Sequence, residues 1–176
     1  MLKGLPFAKA LAARGHDVEV VTGFPNYPGG TIYPGYRLRM HQKEMMDGIS
    51  VHRVWLYPSH DRSALRRILN YCSFALSVLI FTPWIIKKKP DVIYVYNLVT
   101  LGAVAFMLRR LWGCRVLMDI QDLWPESVAG SGMMNNAFFL ERLTRFCNRI
   151  YCGADALAVL SPGFKNNLIA RGLSQE

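Results

Sequence analysis

The sequence predicts an α/β fold: a parallel sheet with flanking helices and a β-hairpin insertion. Three observations carry that expectation. Helical and strand patterns alternate from residue 6 to residue 172, the order that builds parallel sheets. Asp91–Tyr96 reads as a continuous apolar strand behind Pro90, as for a strand covered on both faces. Asp47-Gly48 lies between two extended stretches, which is a strong hairpin signal.

Taken in order, Pro6–Arg14 reads as a short helix with Leu5, Ala8, Leu11 and Ala12 on one face, closed by Gly15. Asp17–Thr22 alternates polar and apolar and reads as a strand. Together these are the second half of a βαβ unit whose first strand is not in the sequence. Residues 23–36, rich in Gly, Pro, Asn and Tyr, are a long loop. Residues 37–46 and 49–56 are the arms of the hairpin, and Ser59–Ser63 is a loop that caps the helix behind it. Leu98–Trp112 is helical and ends at Gly113; Arg115–Ile120 is the next strand, and a short helical turn follows Pro125. Asn136–Cys152 is a helix with Phe139, Leu143, Phe146 and Ile150 spaced to face the core. Asp155–Leu160 is a strand, and Ser161-Pro162 caps a last helix that runs to Arg171 before Gly172. With no repeat and no linker, the expectation is one domain over 1–176.

Composition excludes several classes. In 176 residues, 52% are hydrophobic and 19% charged, so the chain is no disordered polyelectrolyte, and 14 Gly and 9 Pro exclude collagen-like material. The net charge of +9 favours polyanions: nucleic acid, anionic lipid or phosphorylated substrates. Cysteines at 72, 114, 147 and 152 form no Cys-x-x-Cys pair and no histidine clusters with them. That argues for reduced thiols in a cytoplasmic protein and against a metal site. The first residues carry no long apolar run, so no secretory signal is expected.

The mean hydropathy of +0.15 is high for a soluble domain, and the excess sits in residues 61–89. Arg62, Arg66, Asn70, Ser73 and Ser77 form one polar helical stripe among apolar neighbours. The apolar run Tyr71–Ile86 is 16 residues long and contains Pro83, short of the ~20 residues of a bilayer span. Two readings stay open. One is a crossover helix packed on the sheet. The other is a helix lying on an anionic membrane, with Arg62, Arg66, Arg67, Lys87, Lys88 and Lys89 on headgroups.

Ligands in open α/β sheets bind beyond the carboxyl ends of the strands, which singles out the loops there. Asp119-Ile-Gln121-Asp122-Leu-Trp-Pro-Glu126-Ser127 places three carboxylates within eight residues. Such a cluster holds a hydroxylated substrate or raises one carboxyl for proton transfer; alternatively Asp122 caps the turn at Pro125 and Trp124 is a core anchor. Asn26, Tyr27, Gly29 and Gly30 offer backbone N–H groups to a phosphate or sugar, or form a plain Gly-Pro turn. His60 can donate to a hydroxyl or phosphate, while Asp61 suits an N-cap. Ser161 stands where helix N–H groups face the crevice, or simply caps. No Gly-x-Gly-x-x-Gly, P-loop or Gly-x-Ser-x-Gly motif occurs.

Five pieces in this order carry a family resemblance: Leu11–Thr22 with its Arg-Gly-His, Gly23-Phe-Pro-Asn-Tyr-Pro-Gly-Gly30, Tyr57-Pro-Ser-His-Asp-Arg-Ser63, Asp119–Ser127 and Val159-Leu-Ser-Pro-Gly-Phe164. The chain resembles the N-terminal domain of glycosyltransferase family 4 enzymes, of the WbuB-like branch found in bacterial surface-polysaccharide synthesis. Arg-Gly-His is common to many GT-B enzymes; Asn-Tyr-Pro-Gly-Gly together with Asp-Leu-Trp-Pro-Glu-Ser is far more specific.

The resemblance implies two Rossmann-like domains around one active site, retaining stereochemistry, and no metal or cofactor. The N-terminal domain would bind the acceptor, often a lipid-linked sugar at the cytoplasmic membrane face, and the C-terminal domain a nucleotide-sugar. The fold expected is the N-terminal half of a GT-B fold with its first strand missing. That strand belongs between residues 17–22 and 92–96, and the donor-binding domain would follow Glu176. Relatives carry a histidine where this sequence has Gln121; glutamine cannot transfer a proton but can hydrogen-bond, so the role would fall to Asp122 or Glu126, or to the departing phosphate. Asn26, Tyr27, Gly29, Gly30, His60, Asp119 and Ser161 are the expected substrate-binding positions. An isolated chain is expected not to turn over. The competing expectation is a non-enzymatic basic module for membrane or nucleic acid. The lack of a nucleic-acid-binding motif and the scatter of the basic residues argue against nucleic acid.

Overall fold

The computed structural model describes residues 4–59, 63–126 and 136–173. The chain forms two compact units, Met1–Lys88 and Lys89–Glu176, and each contains a three-stranded sheet.

In the first unit α1 (Gly4–Ala12) precedes β1 (Glu19–Gly23). The helix starts two residues before the expected Pro6. Its last turn closes through Gly15, at φ +87°, whose N–H donates to the Ala12 carbonyl at 2.9 Å. β2 (His41–Met46) and β3 (Ile49–Val54) form the hairpin, in register from Met46 opposite Ile49 to His41 opposite Val54. Asp47 and Gly48 both have positive φ, as a primed two-residue turn requires. The arms are shorter than expected, because residues 37–40 are irregular and exposed. β3 also pairs in parallel with β1, from Glu19–Ser50 to Gly23–Val54. The hairpin is therefore part of the sheet, whose order is β1-β3-β2. Being central, β3 is buried at Ile49, Val51 and Val54, and also at His52 and Arg53.

α2 spans Ala64–Ile85, and its N-cap is Ser63, whose hydroxyl accepts the Arg66 N–H. The helix continues through Pro83, 22 residues in all. By length and composition alone it is long and apolar enough to cross a membrane. The expectation that it is too short for a span is therefore corrected.

In the second unit β4 (Val92–Tyr96), β5 (Arg115–Ile120) and β6 (Ala156–Val159) form an all-parallel sheet in that order. α3 (Val99–Trp112) stops at Gly113, which is left-handed. α4 (Ala137–Gly153) is capped by Asn136, whose side chain accepts the Phe138 and Phe139 N–H groups. α5 (Pro162–Ala170) is capped by Ser161. The core joins Val95, Val99, Val116, Met118, Ile120 and the buried face of α4. That face is Leu143, Cys147, Ile150 and Tyr151, whereas Phe139 and Phe146 are exposed. The helix is rotated from the expected orientation, and Phe138 stacks edge-on with Phe139 under Arg142 on the open side. β1 has the one ladder partner β3, and β4 the one partner β5, among the described residues. The parallel sheet with flanking helices agrees with the expected Rossmann-like class.

Candidate functional site

The polar side chains at the carboxyl end of the second unit's sheet come from β4, β5 and the residues just after them. Successive strand residues point to opposite faces, so Asp119 and Gln121 share a face, and Tyr94 of β4 lies on the same side. The Tyr94 hydroxyl donates to Asp119 Oδ2, and Gln121 Nε2 donates to Asp119 Oδ1 at 2.5 Å. Burial first, and then the Asp119 carboxylate, push the Tyr94 phenol well above its ordinary value. It therefore remains a donor. Tyr96 is shifted upward as well, by burial and then by Asp119 and Asp122. Both Asp119 oxygens are thus engaged, and the carboxylate fixes which end of the Gln121 amide faces it. The other end, Oε1, is an acceptor.

The loop behind β4 is bound to the loop behind β5. Asn97 sits in the left-handed region, at φ 64°, which a short polar side chain tolerates. Its N–H donates to the Asp119 carbonyl at 2.8 Å, and its Nδ2 donates to Asp122 Oδ2, also at 2.8 Å. The Asp122 N–H returns a bond to Asn97 Oδ1 at 3.0 Å. This reciprocal clasp engages both the carboxylate and the backbone N–H of Asp122. Trp124 is the core anchor that the sequence suggests: partly buried and packed on the main cluster.

Glu126 has a different environment. Its carboxylate accepts from Arg171 Nη2, and Arg171 Nη1 also donates to the Trp124 carbonyl at 2.7 Å. The ion pair ties the loop to the end of α5. Ser161 Oγ accepts the Phe164 N–H at 3.3 Å, so the capping alternative describes it.

In the first unit, Asn26, Tyr27, Gly29 and Gly30 belong to one turn. The Gly30 N–H donates to the Asn26 carbonyl at 2.6 Å, and the Tyr33 N–H donates to the Pro25 carbonyl at 3.0 Å. The Tyr33 hydroxyl donates to the Tyr27 carbonyl. The Gly30 amide is therefore used inside the turn, while the Tyr27 side chain is 67% exposed.

The loop is fixed from below by Arg53, a buried cation at the carboxyl end of β3. Its Nη1 donates to the Gly23 carbonyl at 3.0 Å and its Nε to Glu44 Oε1 at 2.6 Å. Nη2 donates to the Tyr36 hydroxyl at 3.2 Å, and the guanidinium lies 4.7 Å from the Tyr36 ring centroid. Phe24, 1% exposed, packs edge-on against Tyr36. Both ends of the loop are held through one side chain.

His60 and Arg62 lie outside the described residues. Arg66 is exposed on the first turn of α2, and Arg67 Nε is buried. Lys87, Lys88 and Lys89 are exposed, with Lys88 3.0 Å from Asp17. No group of three or more His, Cys, Asp or Glu side chains able to hold a metal occurs among the described residues. Sequence reasoning missed Tyr94, Arg53 and Arg171, and placed Asn97 in a strand-end loop without giving it a role. Tyr94 and Asn97 were signalled by the polar atoms of Tyr94-Val-Tyr-Asn97 at a strand end, and Arg53 by the charge inside Val51-His-Arg-Val54.

A family model described as a glycosyl transferase 4-like domain matches residues 5–176. The chain belongs to that family. This glycosyl transferase 4-like chain is also 28% identical, over 172 residues, to the putative colanic acid biosynthesis glycosyl transferase WcaI of Escherichia coli (strain K12). The match covers 94% of the chain and 42% of that relative.

Proposed function

We propose that the chain is the acceptor-binding part of a retaining glycosyltransferase, which transfers a sugar from a nucleotide-sugar to a lipid-linked saccharide at the cytoplasmic face of the membrane in surface-polysaccharide synthesis. The observation that carries the reading is the Tyr94–Asp119–Gln121 arrangement at the carboxyl ends of parallel strands, in a chain of the glycosyl transferase 4-like family. An amide whose N–H₂ is held by a carboxylate presents its oxygen to a sugar hydroxyl and cannot move a proton at neutral pH. In this reading Gln121 orients the donor sugar, and the departing phosphate takes the acceptor's proton.

Of the two carboxylates that could assist, Asp122 is favoured over Glu126. Glu126 is already engaged by the Arg171 guanidinium, which ties it to the end of α5. Asp122 is exposed and held by a neutral amide. The Asn26–Gly30 turn is the proposed acceptor contact on the first unit. No metal or cofactor takes part, and the groups that stabilise the departing nucleotide belong to another domain.

The test is calorimetric titration of the chain with an isoprenoid-linked saccharide, beside a transfer assay with labelled nucleotide-sugars. The acceptor binds without turnover, and Asn26→Ala weakens binding about tenfold, one hydrogen bond's worth. Absence of acceptor binding overturns the assignment. Measurable transfer by the chain alone overturns its division of labour.

A further inference from the structure

α2 has its polarity arranged the opposite way from a surface helix. Asn70 and Ser73 of its polar stripe turn to the protein: Asn70 Nδ2 donates to the Tyr57 carbonyl at 2.7 Å, and the Tyr57 N–H donates to Ser73 Oγ at 2.8 Å. Ser77 and Thr82 are buried. The outward stripe is Leu65, Leu69, Cys72, Leu76, Ile80 and Trp84, at steps of four, three, four, four and four. From Ile68 to Trp84 every exposed residue is apolar or cysteine. Leu76 is 56% exposed and Trp84 74%. At 1.5 Å per residue the stripe is about 29 Å long, and only 28% of the helix's most apolar stretch is buried. Isolated exposed leucines need no explanation, but a continuous stripe of this length does.

We infer that α2 is a monotopic anchor that lies along an anionic phospholipid surface, its apolar stripe sunk among the acyl chains. Two features select lipid as the occupant. Lys87, Lys88 and Lys89 follow the stripe directly, α2 contains no acidic residue, and Arg66 is exposed at its other end. A tryptophan beside a basic cluster is the composition that settles at the boundary between headgroups and hydrocarbon. The helix lies flat rather than crossing, because its other side packs on β1 and β3 and is hydrogen-bonded to Tyr57. A spanning helix would strip those strands of water. The inference rests on the helix alone and does not require the sugar-transfer reading.

The test is co-sedimentation of the full chain with phosphatidylglycerol-containing vesicles and with phosphatidylcholine vesicles, without sugar substrates. The chain sediments with the anionic vesicles and much less with the neutral ones. The triple variant Leu76→Gln, Ile80→Gln, Trp84→Gln keeps its circular dichroism spectrum and loses binding more than tenfold. A second variant, Lys87→Gln, Lys89→Gln, leaves the stripe and the Lys88–Asp17 pair intact and weakens anionic binding by about thirtyfold, from two charges near the surface. No binding by the parent chain, or unchanged binding by either variant, overturns the inference. So does a parent chain that is dimeric in solution, with the Gln triple variant monomeric and equally bound to vesicles, since the stripe then meets a second copy.

Discussion

Arg53 shows how one side chain organises a loop far from it in sequence. The guanidinium is 2% exposed and touches Gly23, Tyr36 and Glu44. Removing one partner of such a group leaves the other's charge buried and uncompensated, at a cost of about 3–5 kcal/mol. Arg53→Met should therefore destabilise the chain by that amount in urea unfolding and release the amides of residues 24–36 to hydrogen exchange. Midpoints within experimental error of the parent would show that the loop is held by other contacts. A neighbouring residue, His52, adds a pH dependence. It is 3% exposed, hydrogen-bonds to His41 at 3.1 Å and lies 3.3 Å from Glu19. Burial lowers its affinity for a proton, helped by His41 and Lys43 and opposed by Glu19. The unfolded chain, with an ordinary histidine near 6.5, takes up the proton first. Stability thus falls as pH drops through that value toward the lower folded one. Urea midpoints should decline between neutral and mildly acidic pH, and His52→Gln should flatten the decline.

At the level of elements, close packing depends on small residues where helices meet strands. A Cβ on Gly102 of α3 would lie 2.5 Å from Ile150 Cγ2 and 2.8 Å from Met118 Cε. Overpacking of this kind costs about 1–3 kcal/mol, partly offset by the better helix propensity of alanine. Gly102→Ala should therefore lower stability by about 1–2 kcal/mol in chemical denaturation; a stabilised variant would show that α4 yields freely. The elements that the sequence reveals are those with local causes. Asp47-Gly48 sets the hairpin, Gly113 and Gly172 end helices, and Asn136 and Ser161 begin them. The facing of α2 and α4 is not legible in the same way. Periodicity locates a stripe but does not say what covers it, and in both helices aromatic or aliphatic side chains that fit a core lie outside. Of the site, the Asp119–Asp122 cluster is legible because strand ends gather function. The roles of Tyr94, Asn97 and Arg171 are not, since each depends on a partner 25 or more residues away.

On the scale of the whole molecule, the two units carry cores of different weight. Among the described residues one cluster running from Val95 to Leu173 forms the second, while in the first Ala8, Ile49 and Val51 form a smaller cluster and Phe24, Val54 and Leu56 are buried outside it. Buried apolar area sets how far a region resists opening. The slowest-exchanging amides should accordingly be those of Val116, Met118 and Ile120 on β5, and equal protection on β3 would refute that ranking. The boundary between the units falls within Lys87-Lys88-Lys89, an exposed, irregular run after the last turn of α2. Such a run is easily reached by trypsin, and a cut there would part the chain into pieces of nearly equal mass. If the same lysines rest on headgroups, vesicles would shield that peptide bond, and the speed of nicking would become a simple gauge of how much of the protein is on the bilayer.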